Sequence, residues 1–130
     1  MALTTFRIGT PRGRDEGLRV GAVRLLPRGV PKTEYARRDY FDVWMPLLAP
    51  SRELLKWLKA RDPDEVRAEF FRRYRREILG DTERRQTLLL LALLGERTDI
   101  GLGCYCEDES RCHRSELFRL VREAAAGEHG

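Results

Sequence analysis

Residues 82–106 read TERRQTLLLLALLGERTDIGLGCYC, and the change of pattern inside this stretch decides the fold. Asp81 or Thr82 opens a helix carried by Leu88–Leu94, the longest apolar run in the chain at seven residues, which reads as buried; Gly95 closes it. After a short loop, Asp99–Cys106 has the length and composition of a strand. An acidic turn, Glu107–Ser110, then leads into a last helix with Leu117, Leu120, Val121 and Ala124 at helical spacing, and the tail from Ala125 to Gly130 is expected to fray.

The same alternation holds upstream. Thr4–Ile8 reads as a strand, Gly9–Gly17 as a Gly/Pro/Arg turn, and Leu18–Leu26 as a largely buried strand stopped by Pro27 and Gly29. Between residues 32 and 48 we expect one or two short helices punctuated by Pro46 and Pro50, with Trp44 and Leu48 as core anchors. Ser51 is an N-cap for a helix carrying Leu54, Leu55, Trp57 and Leu58. Asp62 caps, and Pro63 starts, a helix to Leu79 whose Val66, Phe70, Tyr74 and Ile78 form one apolar face, with Gly80 at its end. Strands separated by helices require crossover connections and hence a parallel sheet with helices on its faces. The expected fold is a small three-layer α/β domain, one domain over residues 1–130, with a short, mainly parallel sheet of three or four strands.

A chain of 130 residues buries a real core without disulfides. Hydrophobic residues at 42% and charged residues at 35% exclude a disordered or membrane composition, and no 18-residue apolar run exists. The amino terminus lacks a signal-peptide layout, so a cytoplasmic location is expected. Net charge is +4, unevenly spread: residues 1–79 carry 18 Lys/Arg against 11 Asp/Glu, and residues 99–130 carry 4 against 7. A basic surface attracts anions, nucleotides and nucleic acid included, although solvated helix faces account for most of so mild a balance. The three cysteines fall within the nine residues from Cys104 to Cys112, which argues for a reduced compartment and a local purpose rather than a disulfide framework.

Ligands of parallel sheets bind beyond the carboxyl ends of the strands. Two such ends carry unusual residues here: Arg24-Leu-Leu-Pro-Arg28-Gly29 after the second strand, and Cys104-Tyr-Cys106 after the third. The second continues to Cys112-His113-Arg114, and it has three readings. Cys104, Cys106, Cys112 and His113 make a tetrahedral zinc set, held at about 2.0–2.3 Å, though without the paired C-x2-C spacing. Alternatively, a strand, loop and helix N-terminus form an anion site in which Cys104 or Cys112 is a nucleophile and His113 its acid–base partner. Arg24, Arg28 and Arg114 would then be the anion clamps. In the third reading the cysteines are ordinary small hydrophobes, and Arg114 and His113 pair with Glu107 or Asp108. Gly101-Leu-Gly103 precedes no dinucleotide fingerprint, Arg72–Arg76 reads as a solvated helix face, Trp44 and Trp57 read as core, and His129 has no role.

These segments resemble the YeaO-like branch of the domain of unknown function 488 family over nearly the whole chain. Arg19-Val20, Arg24-Leu25 and Pro27-Arg28-Gly29-Val30 resemble its RVLVDRLWPRGV signature; Trp44, Leu48-Ala49-Pro50-Ser51, Leu54 and Trp57 match the next block. Phe70, Arg73-Tyr74 and Glu77 match the helix that follows, and Cys104 through Cys112-His113-Arg114 is similar to the Cys…Cys-His-Arg close of other branches. Val23 and Leu26 depart from the signature's acidic residue and Trp. The resemblance implies an α/β fold and a shared site, and no particular activity. The function expected from the residues is binding, with turnover left open, of a small anionic ligand of the nucleotide or phosphate class. The alternatives are a metal-stabilised module with zinc as its cofactor and a nucleic-acid adaptor acting through basic helices.

Overall fold

The structure, a computed structural model, describes residues 3–13, 17–106 and 112–127. The expected acidic turn Glu107–Ser110, its pairing with Arg114 or His113, and His129 lie outside the described residues. Four strands, β1 (Leu3–Arg7), β2 (Leu18–Gly21), β3 (Val43–Trp44) and β4 (Ile100–Cys104), form one sheet in the order β1-β4-β2-β3. Every pairing is parallel, and β4 lies between β1 and β2 with Leu102 opposite both Thr5 and Val20. The helices are α1 (Arg52–Lys59), α2 (Pro63–Leu79), α3 (Thr82–Gly95) and α4 (His113–Ala125).

Helix starts follow the capping chemistry in the sequence. The Ser51, Asp62 and Asp81 side chains accept from the amides of Leu54, Asp64 and Arg84, which satisfies donors that have no partner within the helix. All four helices contribute to one core, in which Leu54, Phe70, Tyr74, Ile78, Leu88, Leu117 and Leu120 meet Val20, Ile100 and Leu102 from the sheet. Burial of each such side chain stabilises by about 1.5–3 kcal/mol before the entropy of ordering is counted.

The other face of the sheet is covered differently. A second cluster joins Phe6 and Ile8 to Val23, Tyr35 and Phe41, together with Cys104 and Cys112. Its layer is the irregular 22–42 segment rather than a helix. The sheet allows this because three of its positions on this face are glycine: a Cβ on Gly101 or Gly103 would meet the Phe6 ring, and one on Gly21 the Phe41 ring. Arg19, fully buried, lies with its guanidinium 4.2 Å from the Phe6 ring centre and donates to Asp39 O at 2.7 Å.

Several expectations need correction. The second strand stops at Gly21 rather than Leu26, because the Val23 carbonyl accepts from Trp44 Nε1 (2.7 Å) instead of a neighbouring backbone amide. That bond also leaves Trp44 38% exposed, so it is not a core anchor, whereas Leu48 is fully buried. The 32–48 stretch holds two single 3-10 turns, Lys32–Glu34 and Pro46–Leu48, and the two-residue β3, too short to leave a periodic pattern. The third expected strand ends at Cys104 rather than Cys106, where β1 also ends. The leucine run is not buried all round: Leu88 and Leu91 are buried, whereas Leu90, Leu93 and Leu94 are exposed. Among the described residues no helix is long and apolar enough to cross a membrane.

The glycine face yields a direct test. Gly103→Ala forces the Phe6 ring out of place and should destabilise the domain by about 1–3 kcal/mol in denaturant unfolding. Gly95→Ala, whose new Cβ would meet only Ile100 at 3.9 Å, should change stability by less than about 0.5 kcal/mol or raise it slightly. Equal effects at the two positions would mean that the ring does not need that space.

Candidate functional site

The carboxyl ends of β1, β4 and β2 are locked to one another. Ile8 N donates to Cys104 O (2.8 Å) and Ala22 N to Gly103 O (3.0 Å), so the end of the central strand is held from both sides. The chain then returns through Cys112, the N-cap of α4, whose first residues are His113 and Arg114. All three are buried, which is unusual for an imidazole and a guanidinium.

Each buried polar group has an identifiable task. Arg114 Nη1 donates to Phe6 O (3.2 Å) and Cys106 O (2.8 Å), and lies 3.4 Å from Cys104 Sγ. His113 Nε2 lies 2.6 Å from Ala22 O, which can only accept, so Nε2 carries the proton. Nδ1 is therefore the lone-pair nitrogen, and it faces Cys112 Sγ at 3.5 Å. Burial, with Arg114 adding to it and the Ala22 bond opposing it, pushes the His113 pKa down to about 4. The ring also packs edge-on against Tyr74, with centroids 5.6 Å apart.

The sulfurs of Cys104 and Cys112 are joined, and Cys106 is free and exposed. The Cα atoms of the joined pair are 7.6 Å apart. The three sulfurs lie within 4.8 Å of one another. Local desolvation raises the Cys106 thiol pKa, and Arg114 works against that rise.

A cavity of about 230 Å³ opens at this edge, lined by Cys104, Cys106 and His113 together with Arg24 and the apolar Val23, Leu25, Pro50, Leu55 and Tyr105. Its volume is that of about seven or eight waters, enough for one phosphoryl group or one small ring. Tyr105 Oη donates to Leu25 O (3.1 Å) across it, and partial burial raises its pKa to about 12, so the phenol stays neutral. Larger clefts among the described residues, of about 260, 360, 470 and 640 Å³, are lined by no cysteine or histidine.

The wall at Pro50 is fixed by a complete set of hydrogen bonds. Tyr74 Oη donates to Leu48 O (2.6 Å), and Arg24 donates to Ala49 O and Pro50 O (both 3.2 Å). The Glu77 carboxylate accepts from Ser51 N (2.9 Å) and from the Ser51 hydroxyl. Burial lowers the pKa of Arg24, with the neighbouring Arg84 adding to the effect. In the sequence, Leu48, Ser51 and Tyr74 have separate roles as core anchor, N-cap and apolar-face residue, and Ala49 and Glu77 only a place in the resemblance; the structure joins all of them as one braced loop.

Of the residues singled out in the sequence, Cys104, Cys106, His113 and Arg24 share the cavity, while Cys112 lies behind Cys104. Arg114 sits against Cys104 and turns to backbone carbonyls rather than into the cavity. Arg28 is exposed in the turn at residues 28–29 and does not line it. In the Arg72–Arg76 run, Arg72 and Arg73 pair with Glu69, and Arg75 pairs with Glu116 and Glu123. Buried Glu116 escaped the sequence reading: besides Arg119 three residues on, it accepts from Arg75, 41 residues away.

Together these features define a small parallel α/β domain with a cavity lined by two cysteines at the carboxyl edge of its sheet. The chain belongs to the DUF488-N3a family, whose model is described as the active DUF488-N3 subclade and matches residues 3–125, in agreement with the resemblance read from the sequence. No curated protein and no solved structure matches it.

The depressed His113 pKa predicts how stability responds to acid. The unfolded chain takes up a proton near pH 6.5, the folded chain only near 4, so stability falls as pH drops through that window and levels off below it. The loss attributable to this one ring is about 3 kcal/mol. His113→Gln should flatten the difference between unfolding free energies measured at pH 7 and pH 5, relative to wild type. An unchanged pH dependence would mean that the imidazole titrates normally.

Proposed function

We propose that this chain binds a small ligand bearing an anionic group in the cavity at the sheet's carboxyl edge and acts on it through cysteine chemistry. The observation that supports this most is the convergence of four separate segments on one 230 Å³ space where two cysteines, an imidazole and a guanidinium meet. Arg24 is the cation that lines this space, and its charge, next to apolar walls, would orient a phosphate or carboxylate. Arg114 serves the sulfur instead: a guanidinium beside Cys104 favours its thiolate. The family description as an active subclade fits a site that performs chemistry. Phosphate monoesters and mononucleotides are the compounds to screen, entering by the phosphoryl end.

Thermal-shift and calorimetric titration with such compounds should reveal a ligand, and Arg24→Gln should weaken its binding at least about tenfold while the fold persists. Retention of full affinity by Arg24→Gln would remove the anionic part of the proposal.

A second reading rests on the clustering of the three sulfurs, a separation compatible with thiolates around one soft metal ion. His113 Nδ1, which faces Cys112, is the group that would complete four ligands. Elemental analysis of reduced, tag-free protein is the test: about one zinc per chain, with destabilisation on chelation, supports it, and no metal excludes a structural role.

A further inference from the structure

The joined and the free cysteines differ in one respect that neither reading above uses. Cys104 and Cys112 are each 1% exposed, whereas Cys106, whose sulfur lies within 4.8 Å of both others, is exposed. A disulfide closed to solvent is a poor target for an external thiol, because thiol–disulfide exchange requires the attacking thiolate to reach a sulfur. An exposed thiol in the same cluster removes that obstacle.

We propose that the chain is a thiol–disulfide oxidoreductase in which Cys104 and Cys112 are the buried redox pair and Cys106 is the thiol that exchanges with small external disulfides and thiols. The neighbours of each sulfur suit distinct parts. Cys106 and Cys104 both line the cavity, where an incoming disulfide would be met. Cys104 has the Arg114 guanidinium at 3.4 Å, which favours its thiolate. Cys112 is turned away from the cavity toward the lone pair of His113 Nδ1, so in the reduced protein its thiol proton has an acceptor.

The steps balance. The Cys106 thiolate attacks an external disulfide R–S–S–R, forming a Cys106–S–S–R mixed disulfide and releasing RS⁻. The Cys104 thiolate then attacks Cys106 Sγ, breaking its bond to SR, releasing the second RS⁻ and forming Cys104–Cys106. Finally Cys112 attacks Cys104 Sγ, giving Cys104–Cys112 and restoring the Cys106 thiolate. The Cys112 proton, held at His113 Nδ1, passes to one departing thiolate, and solvent protonates the other. The external disulfide is reduced by two electrons to two thiols, and the protein pair is oxidised; a small dithiol runs the sequence backwards. The end state is the arrangement in the structure, with the pair joined and Cys106 free.

The proposal shares the cavity with the reading above but not its anionic ligand, and an uncharged probe keeps the two apart. Reduced, metal-free full chain is treated with bis(2-hydroxyethyl) disulfide, quenched by alkylation at timed points and mapped by peptide mass spectrometry. The expected product is a Cys104–Cys112 disulfide with Cys106 alkylated. Cys106→Ser should slow both its formation and its reduction by dithiothreitol at least about tenfold. Cys112→Ser should accumulate Cys104–Cys106. Three alkylated cysteines after exposure to the probe would overturn the proposal, as would a Cys106→Ser variant that exchanges at the wild-type rate. Because Cys106 is exposed, its replacement leaves the core intact, and failure here would leave anion binding through Arg24 untouched.

Discussion

A guanidinium taken out of water must be met by acceptors, and at the carboxyl edge of this sheet that requirement organises the surroundings. Arg114 Nη1 holds the last carbonyl region of β1 at Phe6, the carbonyl of Cys106 beyond β4, and the sulfur of Cys104. Its own helix is thereby tied to two strands. The neighbouring His113 completes the set by fixing Ala22, just past β2. Three strand ends and one helix start thus share two adjacent side chains, and cysteines that are eight residues apart in sequence come into contact because of it.

The same arrangement changes what the arginines can do. Residue type and position suggested three anion clamps, but the three have separate settings: one behind a sulfur, one at a braced loop, one in an exposed turn. Only Arg24 lines the cavity, and its guanidinium also carries the carbonyls of Ala49 and Pro50. Among the described residues the cavity is therefore mostly apolar with one cation at its wall, and the Cys104 sulfur beside the Arg114 guanidinium is its most distinctive feature.

Much of the fold was legible because its signals are local. Ser51, Asp62 and Asp81 announce helix starts through their own side chains, and Pro63–Leu79 carries its apolar face every fourth residue, so the α2 boundaries matched. The strand ends also stood out in the sequence, since ligands of parallel sheets gather there, and Cys104, Cys106, His113 and Arg24 do meet around one cavity. What failed to show depends on partners far along the chain. β3 is two residues long and exists through pairing with β2; Trp44 is drawn to a carbonyl 21 residues away; Arg19 and Glu116 are buried because distant residues receive them. Gly101 and Gly103 seemed uninformative, yet they are the floor beneath Phe6.

The braced loop from Leu48 to Ser51 separates the shape of the cavity from the residues that touch a ligand. Its Pro50 forms part of the wall, but the groups that hold it, Tyr74 and Glu77, sit on α2, 26 residues away from the carbonyl and amide they bind. The shape of this cavity thus depends partly on a helix that does not line it. Substitutions on α2 would reshape the cavity without any change in the cysteines, and a comparison confined to the cavity lining would overlook them.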